Sequence, residues 1–164
     1  MMKSKRRKAR KPIKAIAFKK AIENTPDVTN GYCTGLGAIK RCDLSAISLS
    51  DSASIDGSLD IDGQTISIYP EEPRWDYAIG YNGRVYYVEV HPANTSDIDD
   101  MIKKKEWLLN WLRTKAPKIN ALEAGTPKFL WAATKAGVHI SKQSLYAKKL
   151  AQLGLIPVRP VIIR

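Results

Sequence analysis

The segment Arg74–His91, RWDYAIGYNGRVYYVEVH, constrains the fold more than any other part of the chain. Two β-rich runs flank Asn82-Gly83, the dipeptide preferred in a two-residue type I′ turn. Such a turn sets Tyr81 opposite Arg84, so that each further pair of residue numbers sums to 165. Asp76 then faces Glu89, and Arg74 faces His91. Alternation places Arg74, Asp76, Ala78, Tyr87, Glu89 and His91 on one face. Trp75, Tyr77, Ile79, Tyr86, Val88 and Val90 share the other, which is apolar enough to pack on a helix layer. Directly opposed side chains have Cβ atoms roughly 4.5–5.5 Å apart, and like charges so placed are destabilising. A divalent cation between Asp76 and Glu89 would relieve that repulsion. Mg²⁺ often takes one or two carboxylates and completes its shell with water and substrate phosphate. In the alternative, Arg74 and His91 are ion-pair partners of the two carboxylates on a solvated face. That leaves unexplained why the charges sit mid-hairpin among large apolar residues.

Helical and strand signals continue on either side. Residues 1–11, MMKSKRRKARK, read as a disordered basic tail, and residues 12–164 as one domain. Pro12 to Asn24 suits a helix with Ile13, Ile16, Ala17 and Ala21 on one side. Asn24–Gly37 is rich in turn formers, Leu36–Leu44 is a helix or loop, and Ser45–Ser58 reads as a mobile surface loop. Leu59 and Ile61 before Asp62-Gly63, with Ile66 and Ile68 after it, predict a first tight hairpin. Beyond the second hairpin, Thr95 or Ser96 caps a helix with Asp97, Asp99 and Asp100 in its first turn. Its apolar stripe is Ile98, Met101, Ile102, Leu108, Leu109 and Leu112, with Lys105 on the same line. Phe129–Ala133 reads as a buried strand. Ser141–Leu153 is a helix stopped by Gly154 and Pro157, and Val158–Ile163 an edge strand that tolerates Pro160.

Charge is strongly biased. The chain has 27 Lys and Arg against 16 Asp and Glu, a formal +11. Such a balance favours a polyanionic partner, nucleic acid first and an anionic membrane surface second; a merely solubilising surface is the plainer account. Residues 1–20 hold ten bases and no acid, residues 41–100 three bases and twelve acids, residues 101–164 thirteen bases and two acids. An acidic centre between basic arms suits phosphodiester chemistry, with the arms on the backbone and carboxylates on a metal. No apolar run reaches the about 18 residues of a membrane span, and no apolar stretch follows the basic N-terminus. Cys33 and Cys42 form neither a disulfide framework nor a metal set. The expectation is a reduced protein of the cytoplasm, or of the nucleus in a eukaryote.

The order helix, three-stranded meander, helix, strand, with Asp76 on one meander strand and Glu89-Val90-His91 on the next, resembles the PD-(D/E)XK, restriction-endonuclease-like nucleases. The likeness covers roughly residues 12–134, and the order of elements carries more of it than the short motif does. It implies an α/β fold with a central mixed sheet flanked by helices and Mg²⁺- or Mn²⁺-dependent cleavage of DNA, ahead of RNA. Asp76 and Glu89 would hold the metal. His91 stands where the family keeps a lysine, as base or orienting group. Alternatively Lys103, Lys104 or Lys105 on the next helix supplies the charge; Lys105 lies on the apolar stripe and so points toward the sheet, whereas Lys103 and Lys104 read as solvated. The family often adds an acid from its first helix, for which Glu23 is the candidate. Arg74 is a further candidate beside the carboxylates, while Glu71 and Glu72 read as loop residues.

Lys103, Lys104, Lys142, Lys148 and Lys149 are the candidate phosphate contacts. Trp107 and Trp111, four apart and off the stripe, suit packing, base stacking or a homodimer contact. Two rival functions stand beside hydrolysis. One is a catalytically inactive nucleic-acid-binding protein on the same fold, perhaps within a larger complex. The other is an interaction protein whose basic tail docks on an acidic partner.

Overall fold

A computed structural model describes residues 15–164; the predicted basic tail and the first residues of the predicted N-terminal helix lie outside the described residues. Helix α1 spans residues 15–23. It buries Phe18, Ala21 and Ile22 and leaves Ile16 exposed, so its packed face is turned from the one the sequence predicts. Next come β1 (Tyr32–Cys33), β2 (Ile47–Leu49), β3 (Ile55–Asp60), the short α2 (Ile61–Thr65), β4 (Tyr77–Tyr81) and β5 (Arg84–Asn94). They are followed by α3 (Ile98–Thr114), α4 (Pro117–Asn120), β6 (Ala124–His139), α5 (Leu145–Leu153), β7 (Pro157–Val158) and β8 (Val161–Ile163).

Six strands form one mixed sheet in the order β1-β3-β4-β5-β6-β7, and β2 pairs with β8 in a separate two-stranded sheet. β3, β4 and β5 are consecutive antiparallel neighbours, whereas β6 runs parallel to β5. A parallel neighbour needs a crossover, and α3 and α4 supply it. The β4–β5 hairpin has the register read from the sequence: Tyr81 pairs with Arg84 and Tyr77 with Val88. Asn82 and Gly83 both take positive φ, as a type I′ turn requires.

The first predicted hairpin does not form. Asp60 caps α2 instead, its carboxylate accepting the Gly63 N–H at 2.8 Å. That local bond holds the Asp62-Gly63 segment in a helical turn. Ile66 and Ile68 stay exposed, and β3 finds its partner in β4. Part of the segment read as a mobile loop is therefore structural. Ser58 and Asp56 are buried, and the Asp56 carboxylate accepts the Gly83 N–H at 2.6 Å, bracing the β4–β5 turn. Gly57 has φ 148°, and a Cβ there would lie 2.4 Å from the Tyr32 ring. The predicted C-terminal edge strand is divided in two: β7 lies beside β6, and β8 beside β2. α5 begins at Leu145 rather than Ser141 because the Ser144 hydroxyl takes the Ala147 N–H; it ends at Gly154 in the left-handed conformation, as expected.

Two cores cover the sheet. On one face Ala78, Tyr87, Trp131 and Ala133 pack with Phe18 and Ile22 of α1, Met101, Leu108 and Leu112 of α3, and Leu150 of α5. On the other, Tyr77, Ile79, Val88 and Leu130 pack with Ile47, Val161 and Ile163 of the small sheet and with Ile39 and Ala46. The helix layer thus covers the face that carries Glu89, the reverse of the sequence expectation. Trp75 also changes sides and packs edge-on against Phe129 in the helix-side core. Alternation stops applying there, because the β4–β5 ladder ends at Tyr77–Val88.

Candidate active site

Just past the end of that ladder, two carboxylates take over its hydrogen bonds. Glu89 Oε2 accepts the Asp76 N–H at 2.8 Å, and Asp76 Oδ2 accepts the Val90 N–H at 3.0 Å. Each side chain satisfies a backbone donor of the other strand's end, which fixes both carboxylates where the strands part. Glu89 is 1% exposed, beneath the helix layer, and Asp76 is partly buried. Burial, followed by the Asp76 charge, pushes the Glu89 carboxyl up to about 8 against the pull of Lys104. Burial likewise raises Asp76 to about 6, opposed by the Val90 N–H and by the Lys104 and Lys40 charges.

The cation at this pair comes from α3. Lys104 Nζ lies 2.6 Å from Glu89 Oε1 and donates to the Arg74 carbonyl at 2.9 Å. Asn94 caps the 3-10 turn Thr95–Asp97 that leads into this helix, its N–H bonded to the Asp97 carboxylate at 2.9 Å. The buried side chains of α3 are Ile98, Met101, Trp107, Leu108, Trp111 and Leu112. This stripe includes both tryptophans and excludes Leu109, so α3 is rotated from the predicted orientation and Lys104 reaches the sheet. Lys105 instead donates to the Leu153 carbonyl at 2.5 Å and lies over the Phe129 ring.

The other candidates fall elsewhere. His91 Nδ1 sits 2.9 Å from the Pro92 carbonyl oxygen and 3.9 Å from Asp97 Oδ1, and its ring meets the edge of Trp131. Arg74 bonds Asp62 at 2.9 Å and the carbonyls of Tyr69, Pro70 and Glu72, so it clamps the 69–74 loop rather than pairing with Asp76 or Glu89. Glu23 forms an exposed pair with Lys19 one helical turn away. Glu72, read as a loop residue, accepts the Trp107 indole N–H. Trp107 and Trp111 are buried and stacked on each other, and Trp111 donates to Asp27 at 3.0 Å, so neither offers a surface for a base or a second subunit. Lys103 and Lys149 are exposed, and Lys142 and Lys148 line an apolar cavity beside α5.

A charged fringe near Asp76 went unread in the sequence. The Tyr77 hydroxyl donates to Asp43 at 2.5 Å and accepts the Lys40 N–H at 3.2 Å, which ties the 40–43 turn to the start of β4. Lys40 Nζ lies 3.6 Å from Asp62 Oδ2. Burial works to lower the Lys40 pKa but is outweighed by the charges of Asp60, Asp62, Asp76 and Asp43, and the net shift is upward. No regular spacing links these residues; the turn and the Asp60 cap bring them together.

Among the described residues no group of three or more His, Cys, Asp or Glu side chains is arranged to hold a metal ion. The Asp76–Glu89 pair nonetheless suits a hard cation that keeps most of its water. Asp76 is fixed through one oxygen and Glu89 through both, Oε2 by the Asp76 N–H and Oε1 by Lys104, and burial makes both carboxyls resist ionisation. No family model, curated protein or solved structure matches the chain. Among the described residues no helix is long and apolar enough to cross a membrane.

Proposed function

We propose that the chain is a metal-dependent nuclease that hydrolyses phosphodiester bonds, of DNA ahead of RNA. The observation that carries this reading is the convergence of Asp76, Glu89 and Lys104 at the point where β4 and β5 separate. The order of α1, the β3–β4–β5 meander, α3 and the parallel β6 supports a PD-(D/E)XK-like topology, although short β-segments precede β3. On this reading Asp76 and Glu89 hold Mg²⁺ or Mn²⁺, which when bound supplies Lewis acidity toward phosphate and water. Lys104 takes the part that the family gives to the motif lysine: it fixes Glu89 and offers positive charge to a scissile phosphate. His91 orients the start of α3 through Asp97. Exposed cations such as Lys103 and Lys149 hold the nucleic acid backbone, so binding weakens as salt rises.

One observation favours a second reading, a catalytically inactive nucleic-acid-binding protein. Glu89 is 1% exposed and already holds Lys104 at 2.6 Å, as a purely structural ion pair would. A cleavage assay separates the two. Supercoiled plasmid, single-stranded DNA and RNA are incubated with Mg²⁺, Mn²⁺ or EDTA, using wild type, Glu89→Ala and Lys104→Ala. Cutting that needs metal and disappears in both variants supports the nuclease. Salt-sensitive binding without cutting under any condition assigns the protein to the inactive class.

A further inference from the structure

Five of the eleven large hydrophobic side chains exposed among the described residues fall between residues 138 and 158: Val138, Leu145, Tyr146, Ile156 and Val158. The same stretch encloses a cavity of about 320 Å³, walled by Val138, Ile140, Ala147, Leu150, Ala151 and Ile156, with Lys142 and Lys148 also on its lining. That volume lies near the low end of small-ligand pockets, roughly 300–1,000 Å³. Of the five, Val138 and Ile156 lie on the cavity lining itself, and exposed apolar surface gathered around a hollow marks an interaction site more often than scattered single residues do.

Charge defines the partner. No Asp or Glu occurs after Glu123, whereas seven Lys or Arg lie between Gly125 and Arg164. No ion pair among the described residues engages Lys142, Lys148 or Lys149. A greasy hollow whose only charged lining residues are Lys142 and Lys148 calls for a ligand that is apolar at its centre and anionic at its edge. We propose that this surface binds an acidic peptide segment of another protein, whose bulky apolar side chain fills the cavity while its carboxylates face Lys142 and Lys148.

The other occupants fit less well. A second copy joined through this face would set lysines against lysines, and like charges across an interface cost several kcal/mol. A nucleic acid base is held by stacking on aromatic rings, and the cavity walls are aliphatic. A bilayer surface presents no side chain to fill a hollow. The peptide thus takes Lys142 and Lys148, expected from sequence to contact phosphate. It makes no use of Asp76 or Glu89, so the proposal stands or falls apart from the nuclease reading.

The test uses the full chain and a fluorescein-labelled acidic 16-residue peptide with Leu and Trp along one helical face and Glu and Asp on the other. Anisotropy should give micromolar binding. A permuted peptide of equal composition but without the apolar face should bind at least tenfold more weakly. Ala151→Trp fills the cavity from an exposed position of α5 and should weaken the peptide at least tenfold, as should Lys142→Glu with Lys148→Glu; Glu89→Ala should bind as wild type does. Methyl resonances of Val138, Ile140, Leu150 and Ile156 should shift on titration in the unmutated protein. The proposal is overturned if both peptides bind equally, if Ala151→Trp changes nothing, or if those methyls stay still. It is also overturned if phosphatidylserine vesicles or a single-stranded oligonucleotide, and not the peptide, respond to Ala151→Trp.

Discussion

Glu89 makes the stability of this fold depend on pH in a way that one substitution should abolish. Its carboxyl is displaced from an ordinary 4.5 to about 8, with burial as the largest cause. Because the folded pKa lies above the unfolded one, the native state retains a proton that the unfolded state has released. The stabilisation is complete below about pH 4.5 and is lost as pH rises through about 8. Where the folded carboxyl is protonated and the unfolded one is not, the loss approaches 1.4 kcal/mol per pH unit. Integrated from pH 6.5 to 8.0 with these two pKa values, it comes to about 2 kcal/mol. Asp76, displaced to about 6, contributes mainly below that window.

Glu89→Gln keeps the side-chain shape and removes the titration. Urea unfolding followed by tryptophan fluorescence at pH 6.5 and 8.0 should show wild type losing this amount and the variant staying nearly level. For a chain of this length about 2 kcal/mol corresponds to roughly 4–8 °C in melting temperature, which is measurable. Groups remote from the site are common to both proteins and cancel in the difference, while Asp76, displaced to about 6, titrates mainly below the window. If the wild-type stability is level across the window, or the variant slopes with it, Glu89 does not carry a raised pKa and the account of the site is wrong.

Three further outcomes follow from the same geometry. Lys104→Met removes the cation that lowers the Glu89 pKa, so the carboxyl should titrate above about 8 and stability should go on falling with pH beyond that point, with about 1–3 kcal/mol lost directly with the Lys104 hydrogen bonds; if the protein cleaves nucleic acid, the variant should lose on the order of 10²-fold in rate while His91→Ala stays within a few fold. Mn²⁺ must displace protons from Asp76 and Glu89, so its thermal shift should grow from pH 6 to pH 8 and vanish in Asp76→Asn; a shift independent of pH, or one retained by the variant, removes the metal from this pair. Gly83→Val forces a branched residue to φ 78° and should destabilise by roughly 1–2 kcal/mol in urea titration, an effect absent if the β4–β5 turn is not formed as described.

The two Xaa-Gly turns show which parts of the fold were legible. Asn82-Gly83 lies between runs that find each other as partners, and nothing local competes, so hairpin and register follow directly from the sequence. Asp62-Gly63 carries the same local signal, but Asp60 stands three residues before Gly63 and offers a carboxylate to its N–H. A side-chain bond formed locally prevails over a strand pairing that would leave Ile66 and Ile68 on a narrow exposed hairpin. The Ser45–Ser58 segment failed for the opposite reason, because its order comes from afar. Ile47–Leu49 is held by Val161–Ile163, and Asp56 by Gly83. Serine and aspartate in such a run look solvated until the distant partner is known.

For the site, the error lay in the angle of one helix. Taking Ile98, Met101, Ile102, Leu108, Leu109 and Leu112 as the packed stripe, at about 100° per residue, points the centre of α3 along Lys105. Replacing Ile102 and Leu109 with Trp107 and Trp111 swings that centre by about 60°, onto the line of Leu108. Lys104 then lies about 40° from the centre and Lys105 about 60° away on the other side. The tryptophans are drawn inward because Glu72 and Asp27 wait for their indole N–H groups, which lets large amphipathic rings be buried without orphaned donors. Two acids in loops thus set the rotation of α3, and the rotation sets which lysine meets Glu89. Removing one of them tests the chain of cause: Asp27→Ala should release Trp111, lower stability by about 1–3 kcal/mol, and weaken the hold of Lys104 on Glu89. The Glu89 carboxyl would then titrate higher than in wild type, read as a stability slope that extends further above pH 8. A slope unchanged in Asp27→Ala would mean that Lys104 is positioned by its own bonds to Glu89 and Arg74, and that the tryptophan anchors follow the helix rather than turn it.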